Sequence, residues 1–299
     1  MQVVLRHNTT YRFDRGVTLG PHDVRLRPSA HCRTAILGYA LHVQPAGSPV
    51  HWYTDAAGNS VARFLFPQPV TDLRFEVELR ADLAPLNPFD FLLDPEAAQF
   101  PFRYPDDTAA ELAPSLGAEP AALALTEWVE RVKNEFLSTG SINSVTLLVE
   151  LNLRVRRDVA YIIREEPGVR APEETLALGA GSCRDSGWLL IQVLRQLGLA
   201  ARFVSGYLIQ PASAGWQEQQ GGGQRQTKAS ALRADLHAWV EVYLPGGGWI
   251  GLDPTSGLLA AEHHIPVAVA RIPSGAAPVA GSASPSEARL THRLEVAPA

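Results

Sequence analysis

Gly181-Ser182-Cys183-Arg184-Asp185-Ser186-Gly187-Trp188 opens the strongest helical pattern in the chain, with Leu190, Val193, Leu194 and Leu197 spaced by threes and fours and Gly198 as its stop. Cys183 falls in the first turn. A thiol is a nucleophile only as thiolate, and the unpaired N–H groups and positive dipole end of a helix start favour that anion. Activated cysteines titrate at about 3.5 to 7.5, against about 8.5 for a free thiol. Most free cysteines are small buried hydrophobes, so the position alone leaves both readings open.

His237 follows 54 residues later, in Asp235-Leu236-His237-Ala238-Trp239-Val240-Glu241-Val242-Tyr243-Leu244, and Gly248-Trp249-Ile250-Gly251-Leu252-Asp253-Pro254 comes after a glycine-rich turn. The block reads as strand, turn and strand. Register decides whether His237 meets Asp253. A four-residue loop at 245–248 pairs Val240 with Asp253 and sends the carboxylate to the face opposite His237. A three-residue loop, or a five-residue one absorbing Leu244, sets Asp253 against Trp239, on the face of His237 and diagonal to it. The three glycines suit such a bulged loop.

Outward from this block, ARFVSGYLI reads as a strand, and residues 211–234 as a Gln-, Gly- and Ser-rich surface loop, mobile and a candidate lid. Upstream, Pro120 opens a helix with Leu125, Trp128, Val129, Val132 and Phe136 on one face, and Leu148, Leu151, Val155 and Val159 mark a second. Prolines 85, 88, 95, 101, 105 and 114 make residues 83–119 a linker. Residues 1–82 hold short alternating strands, such as Leu73, Phe75, Val77 and Leu79, and a hairpin loop at Asp55-Ala56-Ala57-Gly58-Asn59. The expected architecture is α+β: an antiparallel β-sandwich over 1–82, then a core over 120–299 with a tail carrying Pro266, Pro273 and a strand-like ARLTHRLEV.

Composition bounds the function. The 299 residues are 46% hydrophobic and 19% charged, which excludes wholesale disorder, a collagen repeat and a coiled coil. With 26 Lys and Arg against 31 Asp and Glu, a net charge of −5 and no basic run, the footprint of a nucleic-acid partner is missing. The first residues show no leader pattern and no run of 18 apolar residues follows, so a cytoplasmic location without membrane attachment is expected. Cys32 and Cys183 read as two lone thiols, and the Asn8-Thr9-Thr10 sequon has no meaning in a chain that is not exported.

Thiolate, imidazole and carboxylate have distinct duties: one attacks an acyl carbon, one moves the proton, one fixes the imidazole tautomer. Cys183, His237 and Asp253 supply one of each. His7, His22, His31, His42 and His51 fall in the β-domain and His263, His264 and His292 in the tail, so none rivals His237. No CxxC or HExxH spacing supports a metal.

GSCRDSGWLLIQVLRQLGLAARFVSGYLIQ and DLHAWVEVYLPGGGWIGLDPTSGLL resemble the core of the bacterial transglutaminase-like family, a branch of the papain-like thiol enzymes. LRHNTTYRFDR, VRLRP and DAAGNSV look like the β-sandwich domain that precedes that core. The resemblance implies a cysteine at a helix N-terminus packed on an antiparallel sheet, with Cys183 as nucleophile, His237 as base and Asp253 as orienting acid. It implies a second oxyanion donor besides the Cys183 N–H, for which Tyr161 is the candidate. Trp239 and Trp249 are candidates for lining an acyl groove, whereas Arg184 and Asp185 are expected to hold the helix start. The function expected is thiol acyl transfer on a carboxamide or peptide bond of a peptide or protein, without cofactor, and with hydrolysis favoured over amine transfer. A binding or scaffold protein with an inert core is the alternative. Oligomeric state is not set by these residues.

Overall fold

The computed structural model describes residues 1–120, 122–138, 140–211 and 232–299. Two four-stranded antiparallel sheets form the N-terminal region. Ala288–Pro298, Gln2–Val17, Val70–Asp82 and Ala35–Gln44 lie side by side in one, and Val279–Ala280, His22–Val24, Ser60–Phe64 and Val50–Thr54 in the other. Alternation builds their shared core: Leu73, Phe75, Val77 and Leu79 point inward from one strand and pack with Val24, Ala62 and Phe64 of the other sheet. In the hairpin loop at 55–59, Asp55 Oδ1 accepts the N–H groups of Ala57 and Asn59 at 3.0 and 2.9 Å.

The tail corrects the expected division. Ala288–Pro298 pairs along its length with Gln2–Val17, from Val3 opposite Pro298 to Phe13 opposite Ala288. The last strand therefore completes the first sheet instead of trailing from the 120–299 core, because the long first strand needs a partner on its second edge. The proline-based reading of the tail also missed His264–Ala270, a strand at the edge of the core sheet in which Pro266 sits at a register shift opposite Gly206. An edge strand tolerates proline because it needs no ladder donor on its outer side.

The second core packs helices against a five-stranded antiparallel sheet ordered Leu258–Leu259, Gly248–Asp253, Leu232–Leu244, Ala201–Pro211, His264–Ala270. Leu123–Phe136 buries Leu125, Trp128, Val129 and Val132, and Ser144–Asp158 buries Leu148, Leu151 and Val155. Both lie around Cys183–Gln196, nearly all of which is buried. The segment expected to be a linker packs Phe91, Leu93, Phe100 and Phe102 on this core and adds a helix, Asp106–Leu116. Tyr207, Ile209, Ile265 and Val267 of the core sheet join the apolar cluster of the N-terminal sheets, so the two regions share a buried seam. Of the lid proposed at 211–234, Pro211 and residues 232–234 belong to strands. The rest lies outside the described residues.

Candidate active site

Cys183 is the first residue of its helix, and the helix start is fixed from below by Asp185. This carboxylate is wholly buried and accepts the Ser182 N–H and hydroxyl at 2.8 Å each, the Arg170 N–H at 2.8 Å, and the Arg164 guanidinium at 3.0 and 3.2 Å. Arg184 binds the carbonyls of Arg164 and Glu166 at 3.0 and 3.1 Å. Both side chains therefore strap the 164–170 segment to the helix that Cys183 begins. Gly181 is required here, since a Cβ would meet that of Asp185 at 2.9 Å.

The hairpin adopts the three-residue loop: Leu244 pairs with Gly248 and Val240 with Leu252. Gly246 in the loop has φ of 80°, a conformation glycine accepts without strain. The register carries Asp253 opposite Trp239, and its Oδ2 lies 3.1 Å from His237 Nε2. The Cys183 side chain lies against the same ring, within reach of a hydrogen bond to it. Cys183, His237 and Asp253 are thus contiguous, with Asp253 wholly buried and the His237 side chain only 7% exposed.

Their charges sustain one another. Burial opposes a thiolate at Cys183, but the His237 imidazolium beside it, its hydrogen bond and the Ala238 N–H outweigh that cost and pull the thiol below its ordinary value. Burial likewise opposes a charged His237, and Asp253 and the Cys183 sulfur overcome it, lifting the imidazole to about 10. Asp253 is held well below the usual carboxylate range against its own burial, chiefly by His237. Each of these shifts favours the charged form, thiolate at Cys183, imidazolium at His237 and carboxylate at Asp253.

Sequence reading missed three partners of that carboxylate. Thr255 donates its N–H at 3.0 Å and its hydroxyl to Oδ1, and Ser256 Oγ lies 3.0 Å from Oδ2. The Asp253-Pro254-Thr255-Ser256 order is itself the available signal, because Ser and Thr just after an Asp fold back onto it in a turn. The third partner is His264, whose Nε2 is 3.3 Å from Asp253 Oδ2. Nothing local announces it, since it arrives from the far edge strand.

His237, Asp253 and His264 place one ligand atom each within 4.8 Å of one another, a metal-like spacing. The hydrogen bonds argue for protons in that space: both imidazole Nε2 atoms face a carboxylate oxygen, which a donor N–H satisfies.

Tyr161 stands at the end of Ala160–Tyr161, which runs parallel to Ala180–Gly181 just before Cys183. It is 42% exposed, and burial of its phenol, then the charge of Cys183, raises it to about 12, so it keeps its proton as a donor. The two tryptophans sit in different surroundings. Trp239 is 1% exposed and stacks under His237 with ring centroids 6.3 Å apart. It fits there because Gly206 has no Cβ; one would lie 2.5 Å from the indole. Trp249 sits opposite Tyr243, some six residues or about 20 Å along the strand from His237, with the Arg202 guanidinium 4.0 Å over its ring.

Residues 3–82 match the family described as the bacterial transglutaminase-like N-terminal region, and residues 122–254 the transglutaminase-like superfamily core. The two matched regions together span most of the chain, which is similar to the bacterial transglutaminase-like proteins in both its N-terminal and its core part, and the core has the transglutaminase-like fold. An uncharacterized protein of Mycobacterium tuberculosis is 27% identical over 283 residues, covering 92% of this chain and 85% of its own. One of Mycobacterium leprae is 23% identical over 299 residues, covering 94% and 92%. The crystal structure of a candidate cysteine protease from Cytophaga hutchinsonii superposes with a TM-score of 0.67 at 18% identity, covering 99% of this chain and 90% of that one. Among the described residues no helix is long and apolar enough to cross a membrane.

Proposed function

We propose that the protein is a thiol acyl-transfer enzyme that breaks a carboxamide or peptide bond by way of a thioester on Cys183. The observation that carries this reading is the unbroken contact chain from Cys183 through His237 to buried Asp253. The Cys183 thiolate bonds to the carbonyl carbon and the carbonyl electrons move onto oxygen. That oxyanion is received by the Cys183 N–H at the helix start, with the Tyr161 hydroxyl as second donor. The C–N bond then breaks, and the leaving nitrogen takes the proton of the His237 imidazolium and departs as ammonia or an amine. In the second half, water gives a proton to neutral His237 and its oxygen attacks the thioester. The sulfur leaves as thiolate, the acid product is released, and the ion pair is restored.

An amine in place of water gives cross-linking. That outcome requires a second binding surface beside the thioester, whereas water requires none, so hydrolysis is the simpler one. The substrate class is a peptide or protein.

Rapid quenching of the protein with glutamine-containing peptides, followed by intact mass, tests the reading. The expected result is an acyl adduct on Cys183 that hydroxylamine releases and that Cys183→Ala lacks. A folded wild-type protein that forms no adduct and shows no Cys183-dependent bond cleavage overturns it in favour of a binding or scaffold role.

A further inference from the structure

Asp253 is shared by two imidazoles. Its Oδ2 lies 3.1 Å from His237 Nε2, on the central strand of the five-stranded sheet, and 3.3 Å from His264 Nε2, on its edge strand. The His264 side chain is 10% exposed and packs edge-on against Trp239, with centroids 5.2 Å apart and planes at 77°. Its orientation is fixed locally. The His264 N–H donates to the Ala261 carbonyl at 2.9 Å, and the Ala261 N–H points back at His264 Nδ1 at 3.5 Å. An N–H directed at Nδ1 makes that nitrogen the acceptor and places the ring proton on Nε2, facing the carboxylate.

We propose that His264 is a positioning residue for the thiol chemistry, a neutral Nε2–H donor that holds the Asp253 carboxylate in line with His237. The inference rests on the reading of Cys183, His237 and Asp253 as the reacting set. Thr255 and Ser256 grip the carboxylate from its own turn, and His264 reaches it from the strand at 264–270. With both sides held, Asp253 is barred from swinging away when the charge on His237 comes and goes. Neutrality matters as much as reach. The titratable groups facing His264 are Asp253 and His237 from the hairpin and His263 from the turn just before its strand, whose Nε2 is 3.6 Å from Glu262. A second imidazolium there would compete with His237 for the one carboxylate. Burial foremost pushes His264 below its ordinary value; Asp253 opposes that shift, and the imidazoles of His237 and His263 add to it.

Iodoacetamide alkylation of Cys183 as a function of pH needs no known substrate and reads the thiolate directly. In His264→Phe the acid limb is expected to move toward that of a free thiol by about one pH unit, a roughly tenfold loss of thiolate at a fixed acidic pH. His264→Gln, whose amide N–H has comparable reach, is expected to restore most of it, which a merely space-filling role would not. A measurement on the unaltered protein backs the variants: imidazole ¹⁵N shifts should show His264 as the neutral Nε2–H form at neutral pH, with His237 doubly protonated. A folded His264→Phe with the wild-type profile, or a wild-type His264 that is charged or carries its proton on Nδ1, overturns the role of His264 alone. A wild-type Cys183 that reacts no faster than a free thiol overturns the active-site reading as well, so the two failures are distinguishable.

Discussion

The surroundings of Cys183 and Cys32 differ in what they do to the same thiol. Cys183 begins a helix, touches His237 and is pulled down; Cys32 lies in a loop, donates to the Thr34 carbonyl at 3.5 Å, and is pushed up by burial. Cys32 even has a histidine next to it in sequence. That ring points away, with His31 Nε2 3.0 Å from Glu241, which also binds Arg202 at 2.7 Å. Neighbours in space therefore decide the chemistry, and both residues are partly buried, so residue exposure does not.

The contrast can be broken most sharply by removing each sulfur. Cys183→Ala should reduce bond cleavage at least ~10⁴-fold, while Cys32→Ala should leave it within about twofold, since nothing around Cys32 favours a thiolate. Equal losses would end the distinction. Next in size is Asp253→Asn, which keeps the shape but favours the wrong imidazole tautomer. A fall of about 10² to 10⁴ in kcat is expected, with little change in KM.

The pH profile sharpens the same contrast. Cleavage should be lost on the acid side as the Cys183 thiolate takes a proton, below the ordinary thiol value, and on the alkaline side as His237 releases its proton near 10. A single rise centred on an ordinary thiol would deny the ion pair. A structural effect comes next. Asp185→Asn leaves Arg164 without its buried counter-charge and with only exposed Glu166 nearby, and about 3 kcal/mol of stability should disappear in denaturant titration. Trp249→Leu should also do little: its distance from His237 along the strand leaves cleavage within about threefold.

Much of this was legible in the chain because it is local. The Cys183 helix start is set by spacing and by Asp185 three residues after Ser182, and the inward face of residues 73–79 by strict alternation. The meeting of His237 and Asp253 was legible only as a choice of loop lengths, which the turn at 245–247 resolves. What remained hidden is non-local. His264 reaches Asp253 because an edge strand returns beside Ala201–Pro211, and the last strand closes on the first across nearly the whole sequence. Trp239 looked like a groove residue because its burial depends on the missing side chain of Gly206, on another strand. No periodicity in one segment records what a distant segment leaves empty.

The central claim is a standing thiolate on Cys183 held by His237, and alkylation at about pH 6 followed by peptide mass measures it directly. Wild-type Cys183 should react far faster than an ordinary thiol, and His237→Ala should lose that advantage. Alkylation of Cys183 at the rate of a free thiol, unchanged by His237→Ala, would contradict the account.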